Sequence, residues 1–186
     1  MSGSDALATF IEAATAVTDG VCAAQSVGSA TDLTIDGSLS SGGEVTFDQP
    51  RNVTILSAGN DSGITFTVTG TDETATAVTE VITGASTGTA TGTTYFATIT
   101  QIASSGAAAA NVSVGSGTSI AAPIFRGSMR LIGLYVVNTG TAGTVTFRQT
   151  SATGTIGMQF NTVAAANTNA YPDIPDEGIR FNSGGY

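Results

Sequence analysis

The chain has little charge and lacks several of the side chains on which enzyme chemistry depends. Its 186 residues include no histidine, no tryptophan, one cysteine and only five basic residues. Without histidine, the Ser-His-Asp and Cys-His catalytic arrangements cannot be built. With one cysteine and no histidine, a zinc site of the usual Cys and His ligands is excluded, and so is an intramolecular disulfide.

The scarce charges are also unevenly distributed along the chain. Charged residues make up 10 % of the sequence, against about a quarter in an ordinary soluble domain. Residues 1–118 contain eleven acidic residues and one arginine, a net charge of −10, whereas residues 119–186 contain three acidic residues and four arginines, a net charge of +1. This asymmetry predicts two modules. The acidic half would repel nucleic acid, so we expect no direct DNA or RNA binding.

Long apolar runs are missing as well. No segment approaches the roughly 18 apolar residues of a membrane helix, so we expect no membrane partner. The first residues, MSGSDALATF, have no basic region followed by an apolar region. We therefore expect no Sec-type signal peptide and predict folding in a cytosol.

Residues 4–18 have a pattern unlike the rest of the chain. One helical face would collect five apolar side chains: Leu7, Phe10, Ile11, Ala14 and Val17. The spacing predicts a short amphipathic helix or an N-terminal arm over residues 1–20. Such a segment could pack on its own domain or reach a neighbouring subunit, in which case Phe10 and Ile11 would be contact residues.

Residues 21–118 are rich in β-strand patterns separated by glycine-rich turns. The predicted strands are DLTI (32–35), EVTF (44–47), RNVTIL (51–56), GITFTVT (63–69), TAVTEVIT (76–83), TYFATITQI (94–102) and NVSVG (111–115). Seven short strands of this kind predict an antiparallel β-sandwich of immunoglobulin-like architecture. Within 63–69, Ile64, Phe66 and Val68 are expected to face the core. Glycines 59, 63 and 70 are predicted turn positions with positive φ.

Residues 119–186 predict a second, smaller β module. Its strands are expected at MRLIGLYVVN (129–138), GTVTFRQT (143–150), GTIGMQFNTV (154–163) and GIRFN (178–182). NTGTAG (138–143) and TSATG (150–154) are expected to be hairpin connections. YPDIPDEG (171–178), with two prolines and three acidic residues, is expected to be a loop or an edge segment.

Few residues offer chemistry. Cys22 has no basic neighbour in sequence that would lower its pKa, so it is expected to be a small buried hydrophobe. The pairs Asp72–Glu73 and Asp176–Glu177 could in principle serve glycoside hydrolysis or calcium binding. Both pairs fall in predicted turns, however, and no calcium-loop motif is present. We expect no enzyme activity, no metal site and no cofactor.

The segment DQPRNVTILSAGNDSGITFTVTGTDETATAVTEVITG (48–84) resembles a widespread group of tailed-bacteriophage virion structural proteins. TYFATITQIASSG (94–106) and NVSVG belong to the same resemblance, and LYVVNTGTAGTVTFRQTSATGT (134–155) with DIPDEGIRF is similar to small phage structural β domains. In such domains a further strand follows GIRF, whereas this chain ends at NSGGY. The Phe181 strand is therefore expected to be an open edge that a neighbouring subunit could pair.

The resemblance implies a virion component assembled in the host cytoplasm. The leading hypothesis is a head decoration or cement protein, a homotrimer on the lattice of the major capsid protein. The acidic module would face outward, and the C-terminal module or the N-terminal arm would contact the capsid. The candidate contacts are Arg126, Arg130, Arg148, Arg180, Phe10 and Ile11. The alternatives are a neck, tail or fibre-associated component, a host-surface carbohydrate-binding module, and an enzyme such as a depolymerase.

Overall fold

The computed structural model describes residues 15–124, 127–139, 142–164 and 166–186. These residues form fifteen strands and no helix, and the predicted all-β, antiparallel sandwich class is confirmed. The strands are β1 (Val17–Gln25), β2 (Thr31–Asp32), β3 (Ser40–Ser41), β4 (Glu44–Asn60), β5 (Thr65–Thr71), β6 (Ala77–Thr83), β7 (Ser86–Thr91), β8 (Phe96–Ser104), β9 (Val112–Ile120), β10 (Met129–Leu131), β11 (Val136–Thr139), β12 (Thr144–Arg148), β13 (Ile156–Asn161), β14 (Ala166–Ala170) and β15 (Ile179–Phe181).

The described chain divides into two compact units, an N-terminal unit that ends at Ala121 and a C-terminal unit that begins at Ala122. Strand β9 runs across the boundary predicted after residue 118, and β1 runs across the boundary predicted after residue 20. Val17 was placed on a helical face, but it begins strand β1. The rest of the predicted helix up to residue 14 lies outside the described residues.

The N-terminal unit contains one nine-stranded antiparallel sheet, which folds around a single long strand. The sheet order is β1-β9-β4-β8-β5-β6, with β2, β3 and β7 attached to β8 and β4. The first part of β4 pairs with β8 at Val45 and Thr46, and its second part pairs with β9 from Val53 to Ser57. Because β4 changes partner along its length, it belongs to both layers of the sandwich.

The change of partner in β4 occurs at the segment 48–51. The register between β4 and β8 shifts between Thr46 and Arg51, and Pro50 has no N–H with which to continue a regular ladder. The two strands predicted at 44–47 and 51–56 are therefore one bent strand of 17 residues. Pro50 lies at the corner between its two halves.

One apolar core fills the space between the layers. Its buried members are Val21, Cys22, Val27, Leu33, Ile35, Val45, Phe47, Val53, Ile55, Phe66, Val68, Ile82, Phe96, Ile99, Ile102, Val112 and Val114. In β5, Phe66 and Val68 are fully buried, while the alternating threonines of the opposite face are partly exposed. The predicted facing of this strand is confirmed.

Glycines in this unit have a different role from the one predicted. Gly59, Gly63 and Gly70 do not have positive φ. Gly70 lies inside β5 at a register shift, and a Cβ there would collide with the carbonyl oxygen of Thr98 on β8. The position excludes any side chain because two backbones approach closely, a common reason for glycine inside a strand.

Strand β7 was not predicted, because its sequence STGTAT lies in a glycine-rich stretch that was interpreted as a turn. It pairs with β4 through five residue pairs, from Thr54↔Thr91 to Asn60↔Ser86. Thr87 and Gly88 both have positive φ at an irregularity of this ladder. Threonine favours the strand, and the glycine allows the irregularity without ending the pairing.

The C-terminal unit consists of two-stranded antiparallel ribbons: β10–β15, β11–β14 and β12–β13. Because β11 pairs with β14 and not with β12, the hairpin predicted at 138–143 is wrong. The hairpin predicted at 150–154 is confirmed by the pairing of β12 with β13. The strand predicted at 129–138 is two strands separated by residues 132–135.

The last residues of the chain take part in the C-terminal unit. Arg148 and Tyr186 exchange two backbone hydrogen bonds, with N···O distances of 2.8 and 3.0 Å. On the other side, the N–H of Ile124 donates to the carbonyl of Gly185 at 2.8 Å. Strand β15 pairs with β10 along one edge, and no described strand pairs with its other edge. The expectation that a neighbour pairs this edge stays a prediction.

Candidate interaction surface

Two of the four C-terminal arginines lie side by side on the outer face of the β10–β15 ribbon. Arg130 is directly opposite Arg180 in the ladder, and both are exposed. Directly opposed side chains in an antiparallel pair have Cβ atoms about 5 Å apart, and two like charges at that position destabilise the pair. Neither arginine forms an ion pair with a carboxylate in the described part of the chain. The two guanidinium groups are therefore exposed like charges at directly opposed positions of the ribbon.

The neighbouring residues explain why both arginines point outward. Met129 opposite Phe181 and Leu131 opposite Ile179 alternate with the arginines along the ribbon. Phe181 is fully buried, and a Cβ added at Gly157 of β13 would collide with its ring. Because side chains alternate between the two faces of a strand, burial of Phe181 directs Arg180 and its partner to the solvent.

The other candidate contacts have different surroundings. Arg148 is partly buried, and its Nη1 donates a hydrogen bond of 2.8 Å to the carbonyl oxygen of Gly154, in the connection between β12 and β13. This arginine already stabilises its own hairpin. Arg126, Phe10 and Ile11 lie outside the described residues.

The C-terminal unit also exposes apolar side chains. Of the described large hydrophobic residues that are exposed, Val81 belongs to the N-terminal unit, and the others belong to the C-terminal unit: Ile132, Tyr135, Ile156, Val163 and Tyr171. Ile132 is 76 % and Tyr171 is 71 % exposed. The rings of Tyr135 and Tyr171 contact each other with centroids 5.2 Å apart and a tilt of 42°.

Sequence reasoning missed this apolar surface. A continuous strand over 129–138 would alternate its side chains between core and solvent, so Ile132 and Tyr135 had no reason to be exposed together. The only signal was the pair of prolines in 171–178, which predicted that this segment leaves the ladder. The opposite segment, residues 132–135, leaves the ladder as well.

The segment DQPR (48–51), part of the phage-like pattern, stabilises the corner of β4. Arg51 Nη2 lies 2.7 Å from Asp48 Oδ1, and its guanidinium lies 5.7 Å from the centroid of the Phe47 ring. Slight burial tends to raise the pKa of the Asp48 carboxyl, but the hydrogen bonds and charge that Arg51 and the Gln49 N–H provide lower it by more. The segment 48–51 therefore has a structural role, because the contact between Asp48 and Arg51 stabilises the bend at which β4 changes partner.

Two carboxylates of the N-terminal unit accept hydrogen bonds from backbone N–H groups. Asp72 accepts hydrogen bonds from the N–H groups of Thr74 and Thr76, at 2.8 and 3.0 Å, within one turn. Glu80 accepts from the N–H of Thr93 at 2.6 Å. No group of three His, Cys, Asp or Glu residues in the described ranges is placed to hold a metal ion.

Cys22 is buried in the core, as predicted. Burial, and secondarily the negative charge of Asp36, raise the pKa of its thiol to about 12. The thiol is therefore protonated at neutral pH, and a protonated, buried thiol is a poor nucleophile.

No protein-family model, no curated protein and no solved structure matches this chain. Among the described residues, no helix is long and apolar enough to cross a membrane.

Proposed function

We propose that the chain is a non-enzymatic structural protein of a tailed-bacteriophage virion, a decoration or cement protein that stabilises the head lattice. Its partners are the major capsid protein and further copies of the chain, as a homotrimer. The proposal starts from the phage-like pattern at residues 48–84. That pattern folds into the corner of β4 and the paired strands β5 and β6, so it specifies a rigid scaffold.

The observation that most supports a contact role is that the exposed large apolar side chains are distributed unequally between the two units. The C-terminal unit exposes Ile132, Tyr135 and Tyr171 together with the arginine pair. Tyrosine and arginine are enriched at protein interfaces, and lysine and glutamate are depleted there. The chain has no lysine and few glutamates, so few long, flexible side chains would lose entropy when a partner binds.

The acidic N-terminal unit then faces outward, and the C-terminal unit faces its partners. Many identical weak contacts on a symmetrical lattice add up to strong attachment by avidity. A cement protein of this kind needs shape and contact area, which short-looped antiparallel strands supply.

The test is the copy number of the chain in purified virions, measured by quantitative mass spectrometry against the major capsid protein. A number comparable to that of the capsid protein is expected. A few copies per particle would move the chain to the neck, tail or fibre. Absence from the particle would overturn the virion assignment, and a glycan array with the purified chain would then test the carbohydrate-binding alternative.

A second measurement tests the orientation. Hydroxyl-radical footprinting of virions, compared with the chain diluted to the monomer, should protect Tyr135, Tyr171 and Ile132 while leaving Val81 of β6 as reactive as before. Equal protection of both units would contradict the proposed outward position of the N-terminal unit.

A further inference from the structure

The ribbons β10–β15 and β11–β14 are separate two-stranded sheets that follow one another along the same two stretches of chain, with an unpaired interruption between them. Leu131 pairs with Ile179 at one end of the interruption, and Val136 pairs with Ala170 at the other. Between these pairs, residues 132–135 lie opposite residues 171–178. We call these two segments the ribbon gap.

The ribbon gap brings three kinds of exposed side chain into one small area. Its apolar members are Ile132, Tyr135 and Tyr171, and its acidic members are Asp173, Asp176 and Glu177, all exposed. The arginine pair, Arg130 and Arg180, lies one residue beyond the gap. Tyr135 is five positions after Arg130, a distance of at most about 17 Å in an extended chain.

The opposite charges of this area do not pair with each other. Neither Arg130 nor Arg180 forms an ion pair with Asp173, Asp176 or Glu177, although the loop leads directly into β15. The loop is held in its own shape: Pro172 and Pro175 have restricted φ, and the Gly178 N–H donates to the Pro175 carbonyl at 2.6 Å.

Gly178 completes this restraint. Its φ is 71°, which disfavours any other residue, and a Cβ there would lie 2.7 Å from Cγ of Arg130. The loop thus passes close along the stem of Arg130 without its carboxylates engaging the guanidinium groups.

We propose that the ribbon gap and the arginine pair together form the surface through which copies of this chain bind one another. Two positive and three negative charges that form no ion pair in the described part of one copy are complementary to the charges of this area on a second copy. The tyrosines and Ile132 would provide the apolar centre of the interface and the charges its rim, the usual arrangement in protein interfaces. In the proposed homotrimer, the arginine pair of one copy would contact the acidic loop of the next copy, because a closed ring of three subunits uses such head-to-tail contacts.

The inference rests on the proposed function only for the statement that the chain acts as an oligomer. It assigns Arg130 and Arg180 to contacts between copies and leaves the capsid contacts to other residues. It also adds Tyr135, Tyr171, Ile132 and the acidic loop, which the sequence did not single out as contacts.

A charge exchange tests the proposal by sedimentation velocity on the purified full chain. The variants R130E/R180E and D173R/D176R should each associate at least about ten-fold more weakly than the wild type, because each places like charges across the interface. An equal mixture of the two variants should associate again, because the reversed charges then complement each other between copies. The variant D19R/E44R is the matched control, since it makes the same charge change as D173R/D176R at exposed positions of the N-terminal unit, and it should associate like the wild type.

A second pair of measurements keeps the test informative if a reversed variant folds poorly. R130Q/R180Q removes the charges without reversing them and should weaken association, and so should added salt. A wild-type chain that stays monomeric, or variants that fail to recover association on mixing, would overturn the proposal. Neither result would bear on the copy number in virions, so the two proposals can fail separately.

Discussion

The two units of the chain differ in how far they bury their apolar side chains. In the N-terminal unit, seventeen buried residues form one core between the layers of a folded sheet. In the C-terminal unit, the large hydrophobic side chains that the described residues bury are Phe147 and Phe181, and five others are exposed. The first unit buries its apolar side chains in one core, whereas the second exposes more of its large apolar side chains than it fully buries.

The difference follows from size and from the kind of sheet. The C-terminal unit begins at Ala122 and ends at Tyr186, and a domain of about 60 residues can bury only about 60 % of the surface that its unfolded chain exposes. Its strands form separate two-stranded ribbons, which are marginally stable alone. We expect the isolated C-terminal unit to be the less stable of the two, and to gain stability from whatever covers its exposed face.

Replacement of Phe66 by alanine should give the largest effect, because it leaves a cavity in the closed core. The ring is fully buried, and Phe-to-Ala changes in a packed core cost about 3–5 kcal/mol of unfolding free energy. Urea denaturation, monitored by hydrogen exchange of peptides from residues 17–121, measures this loss of unfolding free energy. Thr67→Ala, on the other face of β5, is the matched control and should change stability by less than about 1 kcal/mol. A similarly small cost for Phe66→Ala would mean that the sandwich core is not closed.

Replacement of Phe181 by alanine should destabilise the C-terminal unit and leave the stability of the N-terminal unit unchanged. The ring is equally buried, but Phe147 is the other large hydrophobic side chain that the described part of this unit buries, so we expect a loss of about 3 kcal/mol, at the lower end of the range for such changes. Peptides from residues 127–186 should lose protection against hydrogen exchange, whereas those from 17–121 should keep it. Parallel loss of protection in both ranges would show that the units fold as one, and the contrast between them would disappear.

Alkaline pH should weaken the N-terminal unit selectively through Cys22. The folded-state pKa of about 12 is higher than the unfolded value, so the thiol's contribution is fully present below the unfolded pKa and is lost as the pH rises through the folded pKa. A loss of about 3 kcal/mol is expected between about pH 8 and pH 11. The urea midpoint at the two pH values measures it. Cys22→Ala should lose this part of the slope, and an unchanged slope in that variant would assign the effect to other groups.

The strand facing was predictable wherever a two-residue alternation persisted, as in Thr65–Thr69 of β5. The corner at Pro50 and the strand β7 were not, because proline and glycine have several structural roles that look alike in a sequence. Pro50 bends a strand without ending it, and Gly88 allows an irregular ladder without forming a turn. Only the partner strand distinguishes these roles.

The candidate surface was predictable in its composition and not in its arrangement. Charge counting selected Arg130 and Arg180, but their positions in the sequence do not show that they are directly opposed. Tyr135 and Tyr171 meet because β11 pairs with β14, whereas the sequence favoured a hairpin between β11 and β12. Register between strands that are distant in sequence depends on the whole fold.

The pairing of β1 has a consequence for the rate at which the chain folds. In the described structure β1 has β9 as its ladder partner, and Cys22 pairs with Val114, ninety-two positions later. The entropy of closing so long a loop must be lost before the contact stabilises anything, and folds dominated by such distant contacts are slow. The ladder of β1 is therefore completed only after the last strand of the unit has left the ribosome, and until then the edge of β1 that pairs with β9 is open to other chains.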